Sequence, residues 1–125
     1  VNGRTVAVLG LTFKPETDDM RESASIPILH RLAEAGAVLR AYDPVGMDAA
    51  KPLLPDQTIY CADAMDAAQG ADVLVVLTEW NIFRALSPES LAQQMRAKVV
   101  VDLRNIFDPD AMRAAGFVYQ SVGRP

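Results

Sequence analysis

The sequence predicts an α/β fold, in which a doubly wound, mostly parallel six-stranded sheet lies between two layers of helices. Three observations support this prediction. Continuous apolar runs, such as residues 6–9 and 73–77, are typical of parallel strands that are covered on both faces. Helical patterns or Pro-initiated helix starts separate these runs along the chain. A length of 125 residues fits a single domain with its own core.

The strands and helices alternate throughout the chain. We predict six strands, at 6–9, 38–42, 58–61, 72–77, 99–102 and 117–122. We predict helical segments beginning near Ser23 or Ser25 and ending at Gly36, at about 47–54, at 62–69 with Asp63 in the first turn, at 82–86, from Pro88 to about Ala97, and from Pro109 to Gly116. Pro52 should disturb the second of these segments. Right-handed crossovers then favour the strand order 3-2-1-4-5-6.

This strand order brings charged residues from different strands to one edge of the sheet. Lys14 follows the first strand, Glu79 and Trp80 follow the fourth, and Arg104 follows the fifth. In doubly wound sheets, ligands bind beyond the carboxyl ends of the strands, where the topology reverses. Two cations at that edge favour an anionic ligand, such as a phosphate or pyrophosphate.

The connection from Gly10 to Ser23 is unusually long for a strand-to-helix loop in an α/β unit, and long loops are often functional. It contains Lys14, Arg21 and four carboxylates. Asp18 and Asp19 could form a metal pair or an acid–base pair, but we favour a role in ordering the loop through backbone hydrogen bonds and Arg21. We therefore predict no metal site and no catalytic residue in this chain.

Several other candidates have ordinary structural interpretations. A dinucleotide site would show G-x-G-x-x-G after the first strand, whereas Gly10 is followed by Leu-Thr-Phe. Without those glycines, Asp43 is interpreted as a turn residue before Pro44 rather than as a ribose ligand. Cys61 is interpreted as a buried, inert thiol and His30 as an exposed residue of the first helix. Trp80 could belong to the core or line a ligand site.

The composition limits the expected binding partners and cellular location. A net charge of −4 argues against a general nucleic-acid or membrane-surface role, and no apolar stretch is long enough to span a bilayer. The single cysteine leaves no internal disulfide, so a cytoplasmic location is expected. The chain begins with Val1, without a methionine, almost directly before a strand. We therefore expect residues 1–125 to be one domain of a longer protein.

Several motifs resemble those of a known family. The segment Phe13-Lys-Pro-Glu-Thr-Asp-Asp-Met-Arg-Glu-Ser23 resembles the F-K-x-x-T-D-D-x-R-E-S signature of the C-terminal UDP-binding domain of the UDP-glucose/GDP-mannose dehydrogenase family. The motifs Tyr42-Asp-Pro44, Leu77-Thr-Glu-Trp80, Val101-Asp-Leu-Arg-Asn105 and Ser121-Val-Gly123 follow in order. The Thr-Glu-Trp and Asp-Leu-Arg-Asn pieces are most similar to the UDP-glucose 6-dehydrogenase branch. The family's NAD-binding and central helical domains are absent from these 125 residues.

The resemblance implies a specific activity and specific contacts. The complete enzyme would oxidise UDP-glucose to UDP-glucuronate with NAD, in nucleotide-sugar metabolism and polysaccharide biosynthesis. A cysteine outside this chain, unrelated to Cys61, would be the nucleophile. Phe13, Lys14 and Arg104 would contact UDP-glucose or a related UDP-sugar, and Arg21 would point toward NAD, which is bound mainly by the N-terminal domain. The remaining domains of the enzyme and a second subunit, forming a homodimer, are the expected protein partners.

One alternative remains open at this point. The chain could be a free-standing nucleotide-binding or regulatory module without catalysis. A longer parent gene that encodes G-x-G-x-x-G near its start would distinguish the dehydrogenase from this alternative.

Overall fold

A computed structural model describes residues 3–12 and 25–121 of the chain. Six strands form one sheet in the order β3-β2-β1-β4-β5-β6, and every neighbouring pair is parallel. The strands are β1 Thr5–Leu9, β2 Val38–Tyr42, β3 Ile59–Tyr60, β4 Val73–Val76, β5 Val99–Asp102 and β6 Val118–Ser121. The α-helices are α1 Ser25–Glu34, α2 Met47–Ala50, α3 Ala64–Ala68, α4 Asn81–Arg84, α5 Pro88–Gln94 and α6 Pro109–Ala114. The predicted fold class and strand order are confirmed.

Two apolar clusters show that helices cover both faces of the sheet. Leu29 of α1 and Ala50 of α2 pack with one set of strand residues, which includes Val6 and Val8. The other face carries residues from the remaining four helices. Among its larger members are Phe83, Leu91, Met95, Phe107, Met112 and Phe117. In β1, Val6 and Val8 belong to the first cluster, and Ala7 and Leu9 belong to the second. Both faces of β1 are therefore buried, which explains why the strand is apolar without interruption.

Several boundaries differ from the sequence prediction. The predicted second helix splits into α2 and a 3₁₀ turn, Lys51–Leu53, because Pro52 has no N–H to continue the α-helical ladder. Asp63 precedes α3 as its N-cap and accepts a hydrogen bond from the Asp66 N–H at 2.7 Å, so its placement in the first turn was wrong. β3 is limited to two residues.

The fifth helix ends earlier than the sequence predicts. α5 stops at Gln94 rather than near Ala97. The N–H groups of Arg96 and Ala97 both donate to the carbonyl of Ala71, at 2.9 and 3.3 Å, so the chain leaves the helix to meet the segment before β4. The Arg96 guanidinium then makes two hydrogen bonds to the Asp72 carboxylate, at 2.8 and 2.7 Å. This contact fixes the edge of the sheet where the strands begin.

The predicted Pro-initiated helices are confirmed at α5 and α6. Ser87 and Asp108 cap these helices by accepting hydrogen bonds from Ser90 and Asp110, respectively. None of the helices in residues 3–12 and 25–121 is long and apolar enough to cross a membrane.

Candidate functional site

The carboxyl ends of the three central strands, β1, β4 and β5, lie side by side at one edge of the sheet. We call this the carboxyl edge. Its described residues are 10–12 after β1, 77–80 after β4 and 103–107 after β5. The sheet topology reverses between β1 and β4, so this is where a doubly wound fold is expected to bind a ligand.

Arg104 crosses from the end of β5 to the end of β4. Its Nε donates a hydrogen bond to the carbonyl oxygen of Leu77 at 2.9 Å and lies 3.6 Å from a carboxylate oxygen of Glu79. The terminal guanidinium nitrogens make no hydrogen bond to described residues, and the side chain is 37% exposed. The predicted meeting of Glu79 and Arg104 at one edge is therefore observed, and the guanidinium retains donors for an anion.

A buried carboxylate holds the turn that carries Arg104. Asp102 is fully buried and accepts the Arg104 N–H at 3.1 Å through Oδ1. Its Oδ2 accepts the N–H groups of Ile106 and Phe107 and the hydroxyl of Tyr119, at 2.8, 3.0 and 2.7 Å. These bonds fold residues 102–107 around one side chain. Neither Asp102 nor Tyr119 was predicted from the sequence as a residue of the site, although an acid at the end of a strand was a signal for Asp102.

A second buried carboxylate holds the start of the long loop. Asp43 accepts the N–H of Leu11 at 2.8 Å and that of Thr12 at 3.3 Å. Its other oxygen accepts the N–H groups of Val45 and Gly46, at 3.0 and 2.7 Å. The interpretation of Asp43 as a turn residue is confirmed, and the residue also binds the β1 loop. With both oxygens accepting backbone N–H groups, Asp43 is not arranged as a ribose ligand.

Two hydroxyls complete the attachment of residues 10–12. Thr78 donates to the carbonyl oxygen of Thr12 at 2.9 Å, and Ser25 donates to that of Leu11 at 2.6 Å. The backbone also packs closely here, because a Cβ added to Gly10, whose φ is +92°, would lie 2.4 Å from Cβ of Thr78. Gly10 therefore permits close packing of β1 against the β4 loop. Phe13 and Lys14 directly follow this fixed segment in the sequence.

The proposed ligand residues differ in what the structure describes. Arg104 is described and lies at the carboxyl edge. Phe13, Lys14 and Arg21 lie outside the described residues, as do Asp18 and Asp19. Their predicted roles stay predictions.

The remaining candidates have structural roles. Trp80 is 7% exposed and belongs to a core cluster, and its Nε1 has no hydrogen-bond partner in the described ranges. Cys61 is buried, and burial raises the pKa of its thiol, which opposes thiolate formation at neutral pH. His30 is exposed on α1, with Nε2 2.9 Å from the carbonyl oxygen of Leu53. These observations confirm that Cys61 is buried and that His30 is exposed on α1.

Two further observations concern a cavity and the possibility of a metal site. A cavity of about 330 Å³ lies between the end of α1 and the start of β2, at the opposite edge from Arg104, and its lining contains no charged side chain. It therefore does not suit an anionic ligand. Residues 3–12 and 25–121 hold no cluster of three or more His, Cys, Asp or Glu residues arranged for a metal ion.

The fold agrees with the comparison to known families. The profile of the UDP-glucose/GDP-mannose dehydrogenase family, UDP binding domain, matches residues 7–109. The chain belongs to this family. The match includes residues 7–9 of β1, all of β4 and β5, and the whole carboxyl edge.

Individual relatives support the same assignment. The UDP-glucose 6-dehydrogenase of Rhizobium meliloti (strain 1021) is 48% identical over 126 residues, which cover 100% of this chain and 28% of that protein. The UDP-glucose dehydrogenase structure from Pyrobaculum islandicum matches with a TM-score of 0.79 and 34% identity, over 96% of this chain and 25% of that one. The NDP-N-acetyl-D-galactosaminuronic acid dehydrogenase structure from Methanosarcina mazei Go1 matches with a TM-score of 0.82 and 28% identity, over 98% and 25%. The chain thus spans about a quarter of the length of these relatives.

Proposed function

We propose that this chain is the UDP-sugar-binding domain of an NAD-dependent UDP-glucose 6-dehydrogenase and that it binds the nucleotide diphosphate at the carboxyl edge. The proposal rests on one observation, which is how the side chain of Arg104 is held. Its Nε is held by Leu77 and Glu79, while its terminal nitrogens make no hydrogen bond to described residues. A guanidinium held in this way presents a planar pair of donors that suits a diphosphate.

The β1 loop would supply the second part of the site. Four hydrogen bonds fix the backbone of Leu11 and Thr12, and Phe13 and Lys14 come next in the sequence. A lysine ammonium is a compact charge that suits a phosphate group. The end of β1 and the end of β5 are separated by β4 alone, which corresponds to about 10 Å at the usual strand spacing. Long cationic side chains can reach across that distance to one diphosphate.

The activity of the whole protein would be the oxidation of UDP-glucose to UDP-glucuronate, with NAD as the hydride acceptor. The described residues do not fit a dinucleotide site, since Gly10 packs against Thr78 and Asp43 binds backbone N–H groups. We therefore assign NAD binding mainly to domains outside these 125 residues, with Arg21 as this chain's contribution. A cytoplasmic homodimer, active in nucleotide-sugar metabolism and polysaccharide biosynthesis, completes the proposal.

The experiment that tests the proposal measures binding and turnover separately. Calorimetry on the protein at its natural length should show binding of UDP and UDP-glucose, with uridine binding more weakly because it lacks phosphate. The same protein should reduce NAD with UDP-glucose, whereas residues 1–125 alone should not. Failure of the natural-length protein to bind UDP would contradict the proposed function, and turnover by the purified 125-residue chain would show that the catalytic machinery has been misplaced.

A further inference from the structure

The turn that carries Arg104 depends on a residue from the outermost strand of the sheet. We propose that Tyr119 and Asp102 are positioning residues that hold Arg104 in place for the nucleotide diphosphate. Tyr119 lies on β6, 6% exposed, and its hydroxyl donates to Oδ2 of Asp102 at 2.7 Å. This inference rests on the function proposed above, since it concerns how the ligand-binding arginine is held.

The hydrogen bonds of Asp102 support this inference. A fully buried carboxylate needs several donors to offset the loss of water. In the described part of the chain, Asp102 has three backbone N–H donors and the Tyr119 hydroxyl, and none of them comes from a cationic side chain. Tyr119 is the single side-chain donor in this set. Its removal would leave the carboxylate under-satisfied and would loosen the turn that this carboxylate organises.

The conformation of the turn supports the same inference. Asn105 has a φ of +56°, in the left-handed region that costs energy for residues other than glycine. Such a conformation persists where neighbouring contacts enforce it. The N–H groups on either side of Asn105, from Arg104 and Ile106, both donate to Asp102. The Tyr119 oxygen also lies 3.2 Å from the carbonyl oxygen of Phe107, at the far end of the same turn.

Tyr119 should therefore affect the affinity for the diphosphate without contacting the ligand. Tyr119→Phe should weaken UDP binding to the natural-length protein by about threefold to tenfold, because a displaced Arg104 makes poorer charge-assisted hydrogen bonds. KM for the UDP-sugar should rise to a similar extent, while kcat and KM for NAD stay unchanged. Tyr60→Phe is the matched control, because the buried Tyr60 hydroxyl has no hydrogen-bond partner in the described ranges. Its removal should leave UDP affinity unchanged.

A double-mutant cycle with Arg104→Ala separates positioning from a general structural effect. If Tyr119 acts through Arg104, Tyr119→Phe should have no further effect on UDP affinity once Arg104 is alanine. The same loss in both backgrounds, or wild-type affinity for Tyr119→Phe, would overturn the proposal. If Arg104→Ala weakens UDP binding but Tyr119→Phe does not, the proposed function stands and only the role of Tyr119 is contradicted. Absence of UDP binding by the wild-type protein would instead contradict the proposed function itself.

Asn105 provides a second route if Tyr119→Phe does not fold. Asn105→Ala disfavours the left-handed conformation, whereas Asn105→Gly permits it. The alanine variant should lose UDP affinity in the same range, about threefold to tenfold, and the glycine variant should stay within about twofold of wild type. Equal affinities for the two variants would show that the geometry of this turn does not govern Arg104.

Discussion

Replacing Arg104 by alanine should weaken UDP binding by about tenfold to a hundredfold. The terminal nitrogens of Arg104 make no hydrogen bond to described residues, so they can donate to a phosphate without first breaking a protein contact. A hydrogen bond to a charged group contributes roughly 1.5–3 kcal/mol, and about 1.4 kcal/mol corresponds to a factor of ten. One well-formed charge-assisted bond therefore accounts for the whole expected loss.

The assay is calorimetric titration of the natural-length protein with UDP and, separately, with uridine. Arg104→Ala should reduce the affinity for UDP far more than that for uridine. Arg31→Ala is the matched control, because Arg31 lies in the last turn of α1, which leads away from the carboxyl edge, and its loss changes the net charge equally. Arg104→Lys should give an intermediate loss, since it keeps the charge but not the planar pair of donors.

One complication is that Arg104→Ala also removes the 2.9 Å hydrogen bond to the carbonyl of Leu77. That bond contributes about 0.5–1.5 kcal/mol to folding, so Tm should be measured alongside affinity. A folded variant with wild-type UDP affinity would refute the reasoning. Equal losses for UDP and uridine would also refute it, because Arg104 would then not contact phosphate.

Three further predictions concern other charged residues. Lys14→Ala combined with Arg104→Ala should give non-additive losses of UDP affinity if both contact one diphosphate, and strictly additive losses would contradict that arrangement. Arg21→Ala should raise KM for NAD more than KM for the UDP-sugar, and the reverse ranking in steady-state kinetics would reject the assignment. Hydrogen bonds from Arg96 and from the Thr5 N–H lower the pKa of Asp72 to about 2. An unfolded aspartate titrates near pH ~3.9, so stability from Asp72 is present above that pH and is lost as the pH falls toward 2. Thermal melts should show a smaller loss over this window for Arg96→Ala, and an unchanged loss would contradict the pairing.

The strands could be predicted because their apolar runs are local patterns, and right-handed crossovers between parallel strands then give the strand order. Apolar runs such as 73–76 belong to both core clusters at once, so their composition reports burial on both faces. Helix starts at Pro88 and Pro109 are also local, since the cap and the proline are neighbours. The end of α5 is different. It depends on the carbonyl of Ala71, which is distant in sequence, and no pattern within the helix contains that information.

The candidate site also contains residues that could be predicted from the sequence and residues that could not. Arg104 could be placed at the carboxyl edge from the strand order, and the family resemblance gave it a ligand. Tyr119 could not be identified from the sequence, because it lies 17 residues after Asp102. In β6 it is simply the buried residue between two exposed ones, a pattern that is common in edge strands. The partnership becomes visible in the structure, where β6 lies beside β5 and Tyr119 pairs with Val100.

The two buried aspartates show why an acid at the end of a parallel strand is ambiguous in sequence. A carboxylate at this position can accept hydrogen bonds from a ribose, or from the N–H groups of its own loop. Asp43 and Asp102 both bind N–H groups, from the loops after β1 and β2 and from the turn after β5, respectively. Both oxygens of each side chain are thereby engaged, so neither is arranged to meet a ligand. Arg104 at the same edge differs from these acids, because its backbone N–H and its Nε are held while its terminal nitrogens make no hydrogen bond to described residues. Among the described residues, buried acids that fix the loops and an arginine with unoccupied terminal donors therefore have different roles at one edge of the sheet.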